Sequence, residues 1–149
     1  MNQLMNILLI NGPNLNLLGT REPNIYGIKT LQELIKKLTN EAKKLNINLH
    51  HIQSNSESKL ITKIHNSKDN INYIIINAGA LSHTSISLRD ALSSTDIPFI
   101  EVHISNIYQR EYFRSHSWLS DISSGVICGL GIDGYIWALR TAAKRIHKI

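Results

Sequence analysis

The run Tyr73-Ile74-Ile75-Ile76 restricts the fold of this chain more than any other segment. Its β-branched side chains are apolar at successive positions. A strand built this way is buried on both faces, the pattern of a central strand in a parallel sheet whose faces are covered by helices. Four more short runs read as strands: Met5 to Ile10, Ile47 to Gln53, Pro98 to Val102 and Gly125 to Cys128. Between them the apolar period becomes helical. Thr30 with Glu33 forms a capping box ahead of Leu31, Leu34, Ile35, Leu38, Ala42 and Leu45, and Ser54 with Glu57 suggests a second box ahead of Leu60, Ile61 and Ile64. Ile86, Leu88, Ala91 and Leu92 mark a third helix, and Ile136, Leu139, Ala142, Ala143 and Ile146 a last one. The polar and aromatic stretch from Tyr108 to Ser124 has no strong period and reads as a short helix and a loop.

Strands alternating with helices in this order predict an α/β protein with a doubly wound sheet, and right-handed crossovers leave few arrangements. The expected form is a flavodoxin-like sheet of five parallel strands in the order 2-1-3-4-5. Residues 1–149 are expected to form a single catalytic domain, long enough to bury about 70% of the surface that the unfolded chain exposes. In that order the ends of the first and third strands meet at the switch point. Asn11 and Asn14 then face Asn77 across a crevice, with His103 arriving from the fourth strand beside them.

The loop leaving the first strand, Asn11 to Gly27, is long for a βα connection and contains two prolines and three glycines. Such loops at the carboxyl edge tend to be functional, and a lid carrying Arg21 and Tyr26 is the expected reading. Tyr26 either packs the loop against the body or acts as a base. The second role requires cations that stabilise its phenolate, for which Arg21, Arg110 and Arg114 are available. Glu101 and His103 are two apart in a strand, so their side chains share one face, and the carboxylate can orient the imidazole. His83 either caps the following helix or meets a ligand. Asn11 and Asn14 either hold turn backbone or line the crevice. Gly129-Leu-Gly-Ile-Asp-Gly134 fits a dinucleotide fingerprint, but no later strand carries the acid that would touch a ribose, so close packing of strand and helix is the better reading.

A net charge of +5 raises the question of nucleic acid. Lys36, Lys37, Lys43, Lys44, Lys63 and Lys68 fall on polar helix faces without interleaved aromatics, so solvated faces are expected, together with a positive field that favours a small anion. No nucleic-acid or membrane partner is expected, nor a signal peptide, since the first apolar run is broken at once by Asn-Gly-Pro. The single Cys128 reads as a small buried hydrophobe, compatible with a reducing compartment such as the cytoplasm. His50 and His51 lie in a strand without metal partners at recognisable spacing.

The lid, then Asn77-Ala-Gly-Ala-Leu-Ser-His-Thr-Ser85, Glu101-Val-His-Ile-Ser-Asn106, Arg110-Glu-Tyr-Phe-Arg-Ser-His-Ser117 and Gly129 to Tyr135 together resemble type II 3-dehydroquinate dehydratases over nearly the whole chain. Ala80 stands where glycine is also common in that family. The resemblance implies a hydro-lyase of the shikimate pathway of aromatic amino acid biosynthesis. It would remove water in trans from 3-dehydroquinate through an enolate to give 3-dehydroshikimate, with no metal or organic cofactor. By the same resemblance Tyr26 is the base, with Arg21 stabilising its phenolate. His103 is the acid, oriented by Glu101, and Asn14 holds the water at the enolate oxygen. Asn77, Ile104 and Ser105 anchor the hydroxyl and carboxylate, while His83 and Arg114 meet the ring hydroxyls. Asp90 would reach a neighbouring subunit's site, within a homo-oligomer that is a dodecamer built of trimers. The unrelated type I enzymes use a Schiff-base lysine in a barrel of about 250 residues, and the strand-end motifs here contain no lysine.

Other functions of the same fold fit less well. A signalling receiver needs an acidic cluster after the first strand and a phosphoacceptor Asp at the third, where this chain has Asn11 and Asn77. A flavin-binding protein, or another small-ligand binder on the fold, is the alternative. A flavin phosphate loop is rich in Ser, Thr and Gly, unlike the Asn-rich, proline-containing lid.

Overall fold

The computed structural model describes residues 4–148. Five parallel strands, β1 (Met5–Asn11), β2 (Ile47–Gln53), β3 (Tyr73–Asn77), β4 (Phe99–His103) and β5 (Gly125–Cys128), form one sheet in the order β2-β1-β3-β4-β5. This is the flavodoxin-like order expected from the strand and helix alternation. Every residue of β3 and β4 is buried, as central strands covered on both faces require.

The two-residue repeat of the strands sorts their side chains between two cores. Ile7, Leu9, Tyr73, Ile75, Ile100 and Val102 face α2 (Leu31–Lys44) and α6 (Asp133–His147), where Leu34, Leu38, Ala138 and Leu139 meet them. Leu8, Ile10, Ile74, Ile76 and Phe99 face the other way, onto Leu60 and Ile64 of α3 (Glu57–His65) and Leu88 and Leu92 of α5 (Ile86–Thr95). Burying one such Leu or Ile side chain stabilises the fold by roughly 1.5–3 kcal/mol, so both layers are needed to offset the ordering of the chain.

Thr30 caps α2 by accepting from the Glu33 amide, as its capping box predicts. The second box is corrected by two residues. Ser56, not Ser54, caps α3, accepting from the Lys59 amide at 3.3 Å, while Ser54 accepts from the Ser56 amide and shapes the turn before it. Between Tyr108 and Ser124 the expected short helix and loop take the form of two short 3₁₀ helices in irregular chain, at Tyr112–Arg114 and Ser120–Ile122, after one at Ile107–Gln109, and elements this short carry no helical period. Cys128 is only partly buried, because β5 is the sheet edge. Gly134 bears out the packing reading of the glycine-rich stretch, since a Cβ there would lie 3.1 Å from the Ile127 side chain and 3.5 Å from that of Val102.

Among the described residues, no helix is long and apolar enough to cross a membrane. Lys36, Lys37, Lys43 and Lys44 are exposed and Lys63 half-buried on helix faces, as read; Lys68 is exposed too, but in the turn after α3, which ends at His65, and not on a helix face.

Candidate functional site

The site grows from the point where β1 and β3 end side by side. Asn11 and Asn77 are register partners, and the Gly12 amide donates to the Asn77 carbonyl at 2.8 Å. The chains approach so closely that a Cβ on Gly12 would sit 2.4 Å from the Ala78 carbonyl oxygen, which leaves glycine as the residue that fits. Asn11 and Asn77 both face the α6 layer, where Tyr135 enters from the first turn of that helix. Asn77 Nδ2 donates to the Tyr135 hydroxyl at 2.7 Å, and the hydroxyl donates to Asn11 Oδ1 at 2.7 Å. Asn11 Nδ2 then donates to His51 Nε2 at 3.2 Å. Burial holds Tyr135 far above the ordinary phenol range, partly opposed by the Asn77 bond, and pushes His51 down. Both therefore serve as neutral links, and the strand reading of His51 as structural holds. Asn77 Oδ1 also accepts from the Gly79 amide at 3.1 Å, so its side chain is fixed within the frame while it borders the crevice.

His103 and Glu101 share a face of β4 with Phe99, on the α5 side. The His103 ring donates from Nε2 to the Glu101 carboxylate. Burial of Glu101 opposes its ionisation, but hydrogen bonds from His103, Ser120 and Ser117 outweigh this and hold the carboxyl below the ordinary range. His83 stacks beside His103, with ring centroids 6.0 Å apart. Its Nδ1 donates to the His116 carbonyl at 2.8 Å. It does not cap α5, which is the task of Ser85, accepting from the Leu88 amide at 2.9 Å. His83 is held below the ordinary imidazole range by burial, and the nearby His103 and Arg114 add to this against the His116 bond. It lies in a short helix, α4 (Leu81–Thr84), that begins after Ala80, whose ordinary helical φ of −66° needs no glycine.

The opposite wall comes from the long loop. Its first half is anchored by buried Leu15 and Leu18. Asn14, in the left-handed region at φ 70°, tolerated by Asn, donates from its backbone amide to Asn55 Oδ1 at 3.0 Å. The second half holds a single helical turn, α1 (Pro23–Tyr26), that ends on Tyr26. The Arg110 guanidinium donates to the Tyr26 hydroxyl at 2.6 Å, whereas that of Arg21 lies over the ring face, 4.6 Å from its centroid. A guanidinium donor to an oxygen favours the anionic oxygen.

Asn14, Arg21, Tyr26, Asn77, His83, His103, Ile104, Ser105 and Arg114 all line this crevice, with Arg110. Glu101 lies beneath it, fully buried against His103. Asp90 does not line it but stands exposed on α5. The direct partner of Tyr26 is Arg110, not Arg21. The Ser117 and Ser120 bonds to Glu101, and the Tyr135 bridge, carried no signal of their own in the sequence beyond being polar groups near a strand end. No group of three or more His, Cys, Asp or Glu among the described residues is arranged to hold a metal.

Fold and crevice together define a flavodoxin-like α/β protein with a phenol and a carboxylate-bound imidazole at its switch point. The sequence matches the family Dehydroquinase class II over residues 5–143, and the chain belongs to that family. It is 78% identical to the 3-dehydroquinate dehydratase of Buchnera aphidicola subsp. Baizongia pistaciae (strain Bp), over 100% of this chain and 97% of that protein. To the 3-dehydroquinate dehydratase of Erwinia tasmaniensis it is 59% identical, over 98% of this chain and 97% of that one. The crystal structure of type II dehydroquinase from Propionibacterium acnes superposes with a TM-score of 0.91 at 42% identity, covering 95% of this chain and 99% of that one.

Proposed function

We propose that this protein is a type II 3-dehydroquinate dehydratase, a hydro-lyase that converts 3-dehydroquinate to 3-dehydroshikimate by trans elimination of water through an enolate. Family membership and close relatives of that name support the activity. The observation that carries the residue assignment is that Tyr26, bonded through its oxygen to Arg110, and His103, bonded to Glu101, line one crevice.

The chemistry requires two proton transfers. Tyr26 as phenolate removes the proton α to the ketone, leaving an enolate. His103 then gives a proton to the departing β-hydroxyl, which leaves as water while the enolate electrons form the new double bond. A water held by Asn14 stabilises the enolate oxygen. Asn77, Ile104 and Ser105 anchor the hydroxyl and carboxylate, and His83 and Arg114 meet the ring hydroxyls. Because His83 uses Nδ1–H on His116, its Nε2 is left as an acceptor for such a hydroxyl. These steps use neither metal nor organic cofactor.

In this reading residues 1–149 act as one cytoplasmic catalytic domain serving the shikimate pathway of aromatic amino acid biosynthesis. The assembly is a dodecamer built of trimers, to which the exposed Asp90 contributes by reaching a neighbouring site. The test is the absorbance rise of a conjugated enone when the purified protein meets 3-dehydroquinate, repeated with chelator and after borohydride. A rise unaffected by either treatment is expected; no rise from folded, oligomeric protein would leave a small-ligand-binding protein on this fold.

A further inference from the structure

Both oxygens of the buried Glu101 carboxylate are occupied. Oε2 accepts from His103 and from Ser117 Oγ at 2.8 Å, and Oε1 accepts from Ser120 Oγ at 2.6 Å. The Leu119 amide donates to Ser117 Oγ at 3.1 Å, so the serine's own proton is free to point at the carboxylate. The segment bearing these serines is tied down along its length. The Trp118 amide donates to the Ser82 carbonyl at 2.8 Å, and the His116 carbonyl accepts from His83. Arg89 of α5 donates to the Trp118 carbonyl at 2.8 Å and bonds both oxygens of Asp121. Leu119 is fully buried between the serines.

A carboxylate with no exposure and no donors takes up a proton instead of remaining charged. Were Glu101 to do so, His103 would lose its anionic acceptor, and the Nε2 proton would have a second resting place. The proton that His103 gives to the leaving group must come from its other nitrogen, so a stable Glu101 anion keeps the ring in one tautomer through the turnover.

We propose that Ser117 and Ser120 are positioning residues of the dehydration: by donating to both oxygens of Glu101 they keep it anionic and so hold the His103 ring aimed into the crevice. This rests on the reading of His103 as the acid. The serines themselves touch neither substrate nor reacting atoms. The charged and titratable groups facing the pair are His83 of α4, Arg114, and across the crevice Arg21, Tyr26 and Arg110; none is altered by the variants below.

The test compares the whole enzyme with Ser117→Ala, Ser120→Ala, the double variant and Ser120→Thr, which keeps the hydroxyl. Each charge-assisted bond removed should lower kcat by about tenfold, with KM changed by less than about twofold, and the double variant should lose more. The acid limb of the kcat profile should move to higher pH, by about one unit in the double variant. Ser120→Thr should restore most of both. Isotope-edited infrared titration of the Glu101 carboxyl in the free enzyme, assigned by Glu101→Gln, should show the same displacement. An unmoved acid limb and carboxyl titration in the double variant, or a loss confined to KM, would overturn the proposal. The infrared titration is read without substrate. It therefore judges the serines even if the wild type fails to dehydrate 3-dehydroquinate, an outcome that would overturn the reading of the site instead.

Discussion

His103 and Tyr26 line the same crevice, yet they are held by different means. His103 closes a strand whose every residue is buried and is itself 4% exposed, and its Glu101 partner accepts from two further side chains. Tyr26 closes a four-residue helix with no buried residue, in a loop whose second half is largely exposed; its ring packs only partly against the core, and its polar contacts are two guanidinium groups. Direction is therefore fixed by neutral and ionic hydrogen bonds on the strand side, and charge supplies the loop side. A general acid must aim one proton at one leaving group, which favours geometric constraint. A phenol used as a base must first be stabilised as an anion, which a field of cations does with less demand on angle.

The largest effect tests whether both halves are chemical at all. Tyr26→Phe removes only the phenol oxygen, so turnover should fall by about 10²–10⁴-fold, the range for a lost general base, while substrate binding measured by calorimetry persists. An active Phe variant would remove Tyr26 from the mechanism and with it one side of the comparison. His103→Ala should impair turnover on a similar scale without changing the oligomer seen by light scattering.

Next come paired changes that keep charge and alter geometry. Glu101→Asp preserves the anion but withdraws it by about one methylene. A misplacement of that size can cost about 10²-fold, so kcat should fall by about that much. Arg110→Lys preserves the cation and loses the planar fork; a weakened charge-assisted bond is worth about tenfold. Steady-state kinetics that reversed this order would show that the loop side, not the strand side, depends on direction.

What the sequence disclosed about these two halves follows from how local each feature is. The strands were legible from β-branched and apolar runs. The Glu101 and His103 pairing was legible because it needs only the two-residue repeat of one strand. The contact of Arg110 with Tyr26 spans 84 positions in the chain, and nothing in the local pattern distinguished Arg110 from Arg21, which sits nearer in sequence. The donors to Glu101 lay in the stretch from Tyr108 to Ser124, whose 3₁₀ turns have no apolar period to mark them. Tyr135 sat at an apolar helix position, where its ring reads as core and its hydroxyl as incidental. The α3 cap was misplaced by two residues because Ser54 and Ser56 offer the same chemistry, and only the turn geometry decides between them.

A smaller effect concerns the frame beneath both halves. Tyr135→Phe leaves the aromatic packing and removes the bridge between Asn77 Nδ2 and Asn11 Oδ1, stranding both in the interior. An unsatisfied buried partner costs about 1–3 kcal/mol. For a domain of this size the midpoint should drop by about 2–4 °C per kcal/mol, read by thermal melting at fixed protomer concentration. Turnover at low temperature should change less than in the Glu101 variants, because the bridge supports the crevice floor and touches neither proton donor.

The smallest effect is a pH dependence of stability that belongs to the strand side. Glu101 is held below the ordinary carboxylate range in the fold, so in the pH range below about 4.3 the unfolded chain binds more protons there than the native one. Its stabilisation is present above that pH and is lost as pH falls through the folded value. His83, neutral in the fold because burial disfavours its cation, acts in a higher window. As pH falls below about 6.5 the unfolded imidazole takes a proton that the folded ring resists, and stability declines again. Urea denaturation in pH steps should show both declines in the wild type. Glu101→Gln should reduce the lower one and His83→Asn the upper one, whatever each substitution does to stability at neutral pH, and the part of the upper decline left in His83→Asn belongs to His51, which burial also holds low. If both slopes persisted undiminished in the variants, the acid sensitivity would come from elsewhere in the chain, and the strand side would be no more electrostatically constrained than the loop that faces it.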